Sequence, residues 1–217
     1  MGDKFRVVLL GIFFLIIPFT SYAAHSTLQP TEPSRLLVDM GQKCIISVKD
    51  YFKGHLASEM PSHASYWTEK PPVKTLMLKF RVNFVCESLK DQSKEEVARQ
   101  HGAVYDGNRK NWIPYFDSER DAKLLGEFTT AGSLNAVNGN GFYVIQDDRD
   151  GDPAQRERYL SFCIFHETMA VCGGEPVMYL SDQKGDLLPY VLDILRSVEF
   201  IDTSGQKSAP ASVPVIP

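Results

Sequence analysis

Two cysteines flank a His-Glu pair in the segment FCIFHETMAVCGG, which spans residues 162–174. Cys163 and His166 lie three residues apart, and Cys172 follows six residues after His166. These residue types support three chemistries: a thiol nucleophile with its base, a metal site, or a hairpin closed by a disulfide bond. The spacing of the residues and the secondary structure around them distinguish the three.

Strand alternation argues against the thiol with its base, and the spacing of the candidate ligands argues against a zinc site. The segment RYLSFCIFH has strand composition, and a strand places Cys163 and His166 on opposite faces. We therefore expect the thiol and the imidazole to diverge. A zinc site needs about four ligands, and its cysteines usually form close pairs such as C-x2-C. Cys163 and Cys172 are separated by eight residues instead, and Ala170 stands where an H-E-x-x-H motif needs its second histidine.

The N-terminal residues have the order of a secretory signal peptide. Residues 1–6 carry two basic side chains, residues 7–19 are almost entirely apolar, and Ser21-Tyr22-Ala23 offers small residues where a signal peptidase reads. We therefore predict a signal peptide over residues 1–23 and a periplasmic or secreted mature chain. After cleavage we expect no stable membrane insertion, because no other segment is long and apolar enough.

Four cysteines in an exported chain predict two disulfide bonds. A turn near Glu167 would bring Cys163 and Cys172 together, and Cys44 with Cys86 would then tie the first helix to a long strand. The chain-entropy account gives about 2.5–3 kcal/mol for the shorter loop and about 4 kcal/mol for the longer one. Four cysteines allow three connectivities, so the other pairings stay open.

An Asp-rich segment, QDDRDGDPAQRE, has the spacing of a calcium loop. The candidate ligands are Gln146, Asp148, Asp150, Asp152 and Glu157. Gly151 takes the glycine position, but Gln146 stands where Asp is usual, Pro153 removes a backbone N–H, and the flanks are strand-like. The segment is interpreted as a solvated turn, a calcium site, or an acidic loop that contacts a basic partner. Calcium is the only cofactor that the sequence suggests, and no cofactor is required.

The first part of the chain is predicted to hold one helix and one long strand. Residues 34–51 carry apolar side chains at helical spacing, which predicts a helix, although CIISV within them is compatible with a strand. Residues 60–73 contain three prolines and are interpreted as a loop. Strict alternation over TLMLKFRVNFVCES predicts a half-buried strand with Leu76 and Leu78 on its core face.

The next segment carries the signals of a short helix followed by a turn. Ser93 and Glu96 form a capping-box pair, and Gly102 stands where the helix would end. Asp106-Gly107 predicts a turn. The segment NWIPYF, broken by Pro114, is predicted to be an edge strand or a covering loop.

The second half predicts a meander of strands that ends in a helix. Six strand-like segments lie between residues 123 and 180: LLGEFTT, SLNAV, GFYVIQ, RYLSFCIFH, MAVC and PVMYL. The segment KGDLLPYVLDILRSVEF then has a helical apolar face with Pro189 in the first turn, and VEFI predicts a last short strand. Residues 203–217 are rich in Ser, Pro and Ala and predict a disordered tail.

These elements together predict an α+β fold, with a mostly antiparallel sheet, two or three packing helices and disulfide staples. A single domain is expected over residues 35–202, after a flexible lead-in over residues 24–34. Removal of the predicted signal peptide takes the net charge from −4 to −5, because it removes two basic residues and one acidic residue. An acidic chain has no long-range attraction for phosphate backbones, so we expect no nucleic-acid partner.

The order of elements from GFYVIQ to VEFI resembles the sheet-and-helix sandwich of the PsbP-like proteins. The profile of the whole chain, which is small, exported and short of catalytic motifs, resembles the periplasmic immunity proteins that accompany effectors of bacterial type VI secretion. That resemblance implies a binding protein that neutralises a toxic effector or an envelope enzyme.

The surfaces that would meet such a protein partner are the Asp-rich loop, the aromatic segment and the turn with the His-Glu pair. Their residues are Asp147, Asp148, Asp150, Asp152, Trp112, Tyr115, Phe116, His166 and Glu167. Two alternative functions are also considered. One is an exported hydrolase or other envelope enzyme with a scattered site, and the other is a non-catalytic envelope accessory protein that binds a ligand or calcium. The sequence shows no grouped catalytic residues, so the binding protein is the leading hypothesis.

Overall fold

The computed structural model describes residues 32–202. The predicted signal peptide, residues 24–31 of the lead-in and the predicted tail at residues 203–217 lie outside the described residues. The strands are β1 (Arg35–Asp39), β2 (Ile45–Lys49), β3 (His55–Met60), β4 (His63–Thr68), β5 (Phe80–Ser88), β6 (Ala103–Asp106), β7 (Asn111–Pro114), β8 (Thr129–Asn135), β9 (Asn140–Asp147), β10 (Glu157–His166), β11 (Met169–Tyr179) and β12 (Glu199–Phe200). The helices are α1 (Lys94–Gln100), α2 (Glu119–Leu125) and α3 (Leu188–Arg196).

The strands form three antiparallel sheets. Seven of them form the large sheet in the order β3-β4-β5-β11-β10-β9-β8, and β8 to β11 follow one another as a meander. A three-stranded sheet has the order β1-β2-β12, and β6 and β7 form a separate hairpin. The predicted fold class, an α+β chain with a mostly antiparallel sheet and packing helices, is confirmed.

Both faces of the large sheet are covered at its centre. Along β10, Phe162 and Ile164 lie in a first hydrophobic core, which includes apolar residues of α3 and of the three-stranded sheet. Cys163 and Phe165 alternate with them and lie in a second core, which includes residues of α1 and β7. This alternation is the period-two geometry of a strand. A strand that is buried on both sides gives a rigid support for the turn at its end.

The local helix signals are confirmed. The Ser93 hydroxyl accepts a hydrogen bond from the Glu96 N–H, and the Glu96 carboxylate accepts one from the Ser93 N–H, so the capping box starts α1. Gly102 ends that helix with a φ of 81°. Pro189 lies in the first turn of α3, and β12 follows that helix as a short strand.

The helix predicted over residues 34–51 is wrong, because this segment is the hairpin β1-β2. The turn holds Gly41, Gln42 and Lys43 at φ values of 81°, 53° and 67°, which a right-handed helix does not contain. Val38 is buried while Leu37 is 61 % exposed, so the apolar residues follow strand alternation. The β-branched residues of β2 favour that outcome.

Residues 60–73 are not wholly a loop, because β4 covers residues 63–68 and pairs with both β3 and β5. The long strand β5 begins only at Phe80. Leu76 and Leu78 were predicted on its core face, but they precede the strand and are 64 % and 93 % exposed. The alternating pattern in the sequence therefore begins several residues before the backbone starts to pair as β5.

Several boundaries of the meander also differ from prediction. The segment SLNAV does not begin a new strand, because β8 runs unbroken from Thr129 to Asn135. The segment LLGEFTT is not a strand, because α2 and a short 3-10 turn occupy it up to Phe128 and β8 begins at Thr129. MAVC and PVMYL were predicted as separate strands, but both lie in β11, which runs through Gly173-Gly174 between them. A Cβ on Gly173 would collide with the Asn83 carbonyl oxygen, so the close approach of β5 requires glycine there.

No helix within residues 32–202 is long and apolar enough to cross a membrane.

Both predicted disulfide bonds are present. Cys44 joins Cys86, with 6.4 Å between their Cα atoms, and Cys163 joins Cys172, with 4.0 Å between theirs. The first bond ties the β1-β2 turn to β5 rather than a helix to a strand. Two disulfide bonds fit a chain that folds in an oxidising compartment.

Replacing both cysteines of the Cys44–Cys86 pair by alanine should destabilise the protein more than the same change at Cys163–Cys172. The pairs are 42 and 9 residues apart, so chain entropy gives about 4 and about 2.7 kcal/mol. The same atoms are removed in both variants. Urea denaturation of the two double variants checks the order, and an equal or smaller loss for Cys44→Ala/Cys86→Ala would contradict it.

Candidate functional site

The disulfide lies in register across the β10-β11 hairpin. Cys163 stands directly opposite Cys172, and both side chains are fully buried in the second core. His166 leaves the strand on the other side, where its ring stacks on Phe200 of the first core at a centroid distance of 4.9 Å. The prediction that thiol and imidazole diverge is confirmed, and both sulfurs are consumed by the disulfide bond.

His166 is held by a backbone carbonyl and has one free nitrogen. Its Nδ1 lies 2.7 Å from the Asn138 carbonyl oxygen. A carbonyl only accepts, so the proton of the neutral ring is on Nδ1 and the Nε2 lone pair is available. Nε2 is buried without a hydrogen-bond partner, and its nearest charged neighbour is Asp202, with Oδ1 at 3.5 Å. Glu167 follows at the turn with a φ of 48°.

A small cavity lies beside this turn. Its volume is about 170 Å³. The ionisable side chains at its wall are those of His166, Glu167, Asp202, Lys43 and Lys90. The cavity is large enough for a few water molecules and too small for an organic ligand of drug size.

Three carboxylates of the Asp-rich segment accept hydrogen bonds from the loop itself or from its neighbours. Asp147 ends β9 and forms a two-pronged ion pair with Arg158, at 2.7 and 2.8 Å. Asp148 accepts a hydrogen bond from the Glu157 N–H, and Asp152 accepts one from the Ala154 N–H. These contacts are those of a turn that closes the β9-β10 hairpin.

The loop residues are not drawn around one point. Gln146 lies in β9, where it pairs with Tyr159 and Thr129, while Asp150 lies exposed in the loop after that strand. Residues 32–202 contain two groups of three residues that could bind a metal, and within each group the three ligand atoms lie within 4.8 Å of one another. Neither group includes a residue of the Asp-rich loop. Calcium binding there stays a prediction.

One of these groups combines His101 with the two cysteines of the hairpin disulfide. His101 Nε2 lies 2.9 Å from the Glu87 carboxylate. Sulfur binds a metal as a thiolate, which the disulfide bond does not provide. The remaining group consists of His166, Glu167 and Asp202.

The aromatic segment is largely a packing element. Trp112 is 8 % exposed and lies against Phe142 and Phe165 of the second core. Tyr115 is half-buried beneath the guanidinium of Arg99. Phe116 is half-buried as well.

A buried carboxyl group on β11 is a candidate that the sequence did not indicate. Burial raises the pKa of Glu175 to about 7, although the charge of Arg81 and hydrogen bonding to Asn83 act in the opposite direction. Its Oε1 atom is buried without a hydrogen-bond partner. Burial and the charge of Glu175 together raise the pKa of Tyr159. We call Glu175, Arg81, Asn83 and Tyr159 the Glu175 cluster.

The Glu175 cluster adjoins an open cavity of about 380 Å³ on the large sheet. Arg81 organises its wall, because its Nη2 lies 2.7 Å from a Glu59 carboxylate oxygen and 2.7 Å from the Ser65 hydroxyl, while its Nε donates to Asn83 Oδ1 at 2.9 Å. Gly174 makes room for the Tyr159 ring, which would lie 2.9 Å from a Cβ there. The arrangement places an ionisable carboxyl, a phenol and a guanidinium close together.

A second feature that the sequence did not indicate is an exposed apolar loop between β4 and β5. This leucine loop, residues 69–79, presents Leu76 and Leu78 to solvent. The Leu76 N–H donates to Asp182 Oδ2 at 2.8 Å, and Met77 packs against the first core. A Cβ on Gly185 would lie 2.8 Å from the Thr75 hydroxyl, so the loop is also packed closely against the 3-10 turn before α3.

The comparisons with known proteins leave function to be argued from this geometry. No protein-family model, no curated protein and no solved structure matches the chain. The resemblance of the element order from GFYVIQ to VEFI to the PsbP-like sandwich therefore stays a prediction.

The Glu175 carboxyl makes stability depend on pH. A pKa of about 7 in the folded protein, against an ordinary value of 4.5, means that the folded state binds the proton more tightly. The free energy of unfolding should therefore fall as the pH rises from 4.5 to about 7. Glu175→Gln should flatten that fall in urea titrations across this window, and exposed Glu69→Gln should not. A Glu175→Gln variant with the wild-type slope would contradict the assignment.

Proposed function

We propose that the mature chain is an exported binding protein that neutralises a toxic effector by covering part of it, as an immunity protein does. The observation that carries this proposal is the leucine loop, because Leu78 is 93 % and Leu76 is 64 % exposed. Contiguous exposed apolar side chains on a monomer commonly mark a site that meets a partner. Burial of one leucine contributes about 1.5–3 kcal/mol.

The loop is presented in a defined position, which is the second support. The hydrogen bond to Asp182 and the packing of Met77 on the first core hold its backbone close to the body of the protein. A pre-positioned loop loses little conformational entropy on binding. Apolar side chains on such a loop have the properties of binding hot spots.

Charge around the leucines describes the partner surface. Lys74 and Lys79 flank them and are exposed. The loop therefore fits an apolar pocket with an acidic rim on an effector protein. This differs from the acidic contact expected at Asp147 to Asp152, where Asp147 is already paired with Arg158.

A charge placed in the loop should weaken the complex. Leu78→Asp should lower the affinity for the effector by about tenfold or more, because a carboxylate would be buried in an apolar pocket. The measurement is calorimetry with each secreted protein encoded beside this gene. Protection of cells that co-express the effector should decline in parallel.

The matched control is Val137→Asp, which places the same charge on an apolar residue that is 54 % exposed in the β8-β9 turn. It should leave the affinity unchanged. The proposal fails if no neighbouring gene product binds the mature chain. It also fails at this loop if Leu78→Asp binds as tightly as the wild type.

The Glu175 cluster supports a second candidate, an exported hydrolase. A carboxyl with a pKa of about 7 can both accept and donate a proton at neutral pH, which is the property of a general acid or base. The Tyr159 hydroxyl is a further proton donor, and Arg81 can stabilise negative charge that develops on a substrate. The adjoining cavity is open to solvent and offers room for a substrate group.

The hydrolase candidate predicts activity that depends on one carboxyl. The mature chain should hydrolyse a glycan, peptide or ester substrate of the cell envelope, and Glu175→Gln should lower kcat by about 100-fold or more. Glu69→Gln, on the exposed β4-β5 connection, should retain full activity. Absence of turnover on all three substrate classes, or full activity of Glu175→Gln, would remove this candidate.

A further inference from the structure

We propose that His166, Glu167 and Asp202 form a binding site for a divalent transition-metal ion at the β10-β11 turn. Their ligand atoms lie within 4.8 Å of one another, and the site is separate from both the leucine loop and the Glu175 cluster. The proposal does not depend on the function proposed above. It assigns a chemical role to the one part of the opening motif that the disulfide bond leaves unused.

The first argument is the orientation of the imidazole. Histidines that bind metals usually donate the ring proton to a carbonyl or carboxylate and bind the ion through the other nitrogen. His166 has this arrangement, because Nδ1 faces the Asn138 carbonyl oxygen at 2.7 Å and Nε2 has no hydrogen-bond partner. Stacking on Phe200 fixes the plane of the ring. A buried nitrogen lone pair without a partner is costly unless something binds it.

The second argument is distance. His166 Nε2 and Asp202 Oδ1 are 3.5 Å apart. Two ligands at about 2.0–2.1 Å from a tetrahedral ion are separated by about 3.3–3.4 Å. The two atoms therefore already stand at nearly the separation that a bound ion requires. Glu167 is exposed at the turn, so its carboxylate can rotate into the third position without disturbing the core.

The third argument is the chemistry of the donors. One imidazole and two carboxylates suit zinc and neighbouring transition metals, while calcium takes oxygen ligands. The site is therefore chemically different from the calcium site considered for the Asp-rich loop. Three protein ligands leave one tetrahedral position open toward the cavity of about 170 Å³, which has room for water.

The charge of the cavity wall indicates what takes that open position. The carboxylates of Glu167 and Asp202 balance a dipositive ion, and Lys43 and Lys90 add two positive charges to the same wall. An anionic fourth ligand, such as hydroxide or a carboxylate, is favoured over a neutral one. Without a metal, protonated His166 would form an ion pair with Asp202, so metal and proton compete for Nε2.

The test is zinc binding to the tag-free mature chain after removal of bound metals with a chelator. Calorimetry at pH 7.5 should show one zinc ion per chain with micromolar or tighter affinity, and binding should weaken as the pH is lowered, because protons compete with the metal for its ligand atoms. His166→Gln and Asp202→Asn should each lower the affinity by more than about tenfold, since even the outer partners of metal ligands change it by about 10- to 100-fold. Cobalt substitution should give the visible absorption of a tetrahedral ion.

The matched control is His63→Gln, because the Nδ1 atom of His63 also faces a backbone carbonyl, that of Pro61 at 2.9 Å, but His63 belongs to neither ligand group of residues 32–202. His25→Gln tests the lead-in in the same way. Both should bind zinc as the wild type does. Asp202 is 60 % exposed in its side chain, so Asp202→Asn tests the site even if His166→Gln fails to fold.

Three results would overturn the proposal. The first is a wild-type chain that shows no saturable binding of zinc. The second is an Asp202→Asn variant that binds zinc as tightly as the wild type. The third is a loss of binding in His63→Gln or His25→Gln equal to that in Asp202→Asn, which would place the metal elsewhere.

Discussion

The antiparallel pairing of β10 with β11 is the interaction on which the rest of the structure depends. These strands pair from one end of the hairpin to the other at the centre of the large sheet, and β9 and β5 add to their outer edges. Alternate residues of β10 supply the two cores, so displacement of this strand by one residue would exchange the cores' contents. The Cys163–Cys172 bond fixes that register covalently.

The turn of this hairpin combines rigidity with exposure. The strands that lead into it are buried on both faces, while Glu167 at its tip is exposed. Side chains that act chemically need a rigid support and an open approach at the same time, and strand ends commonly provide both. The leucine loop combines a fixed position with exposure in a different way, through a hydrogen bond to Asp182 and a partly buried methionine, Met77, that packs against the first core.

Local signals predicted the parts of the fold that local interactions determine. The capping box of Ser93 and Glu96 and the apolar face of α3 identified two helices, because a helix satisfies its hydrogen bonds within one segment. The hairpin β1-β2 was predicted as a helix, because the spacing of its apolar residues fits both a helix and a strand. Only the turn at Gly41 distinguishes the two structures. Strand pairing depends on distant residues, which a single segment does not contain.

The candidate sites also combine residues that local sequence identifies with residues that only the fold brings together. His166 and Glu167 were identified because they stand together in one segment, but Asp202 joins them only through the fold. Glu175 owes its raised pKa to burial among residues of β5 and β10. Leu78 extends a strand pattern in the sequence, and only the position where β5 stops pairing places it in solvent. The sequence immediately around Asp202, Glu175 and Leu78 therefore does not indicate what each of these residues does in the folded protein.

The strand β12 has a consequence for how the molecule is made. It pairs with β2, so two residues at opposite ends of the described chain, Arg35 and Glu199, form an ion pair at 3.0 Å. Contacts between such distant parts of the chain slow folding, because the smaller sheet cannot close before β12 has been synthesised. The first strands must therefore wait with exposed edges during synthesis, and a chaperone that holds them open would favour correct assembly.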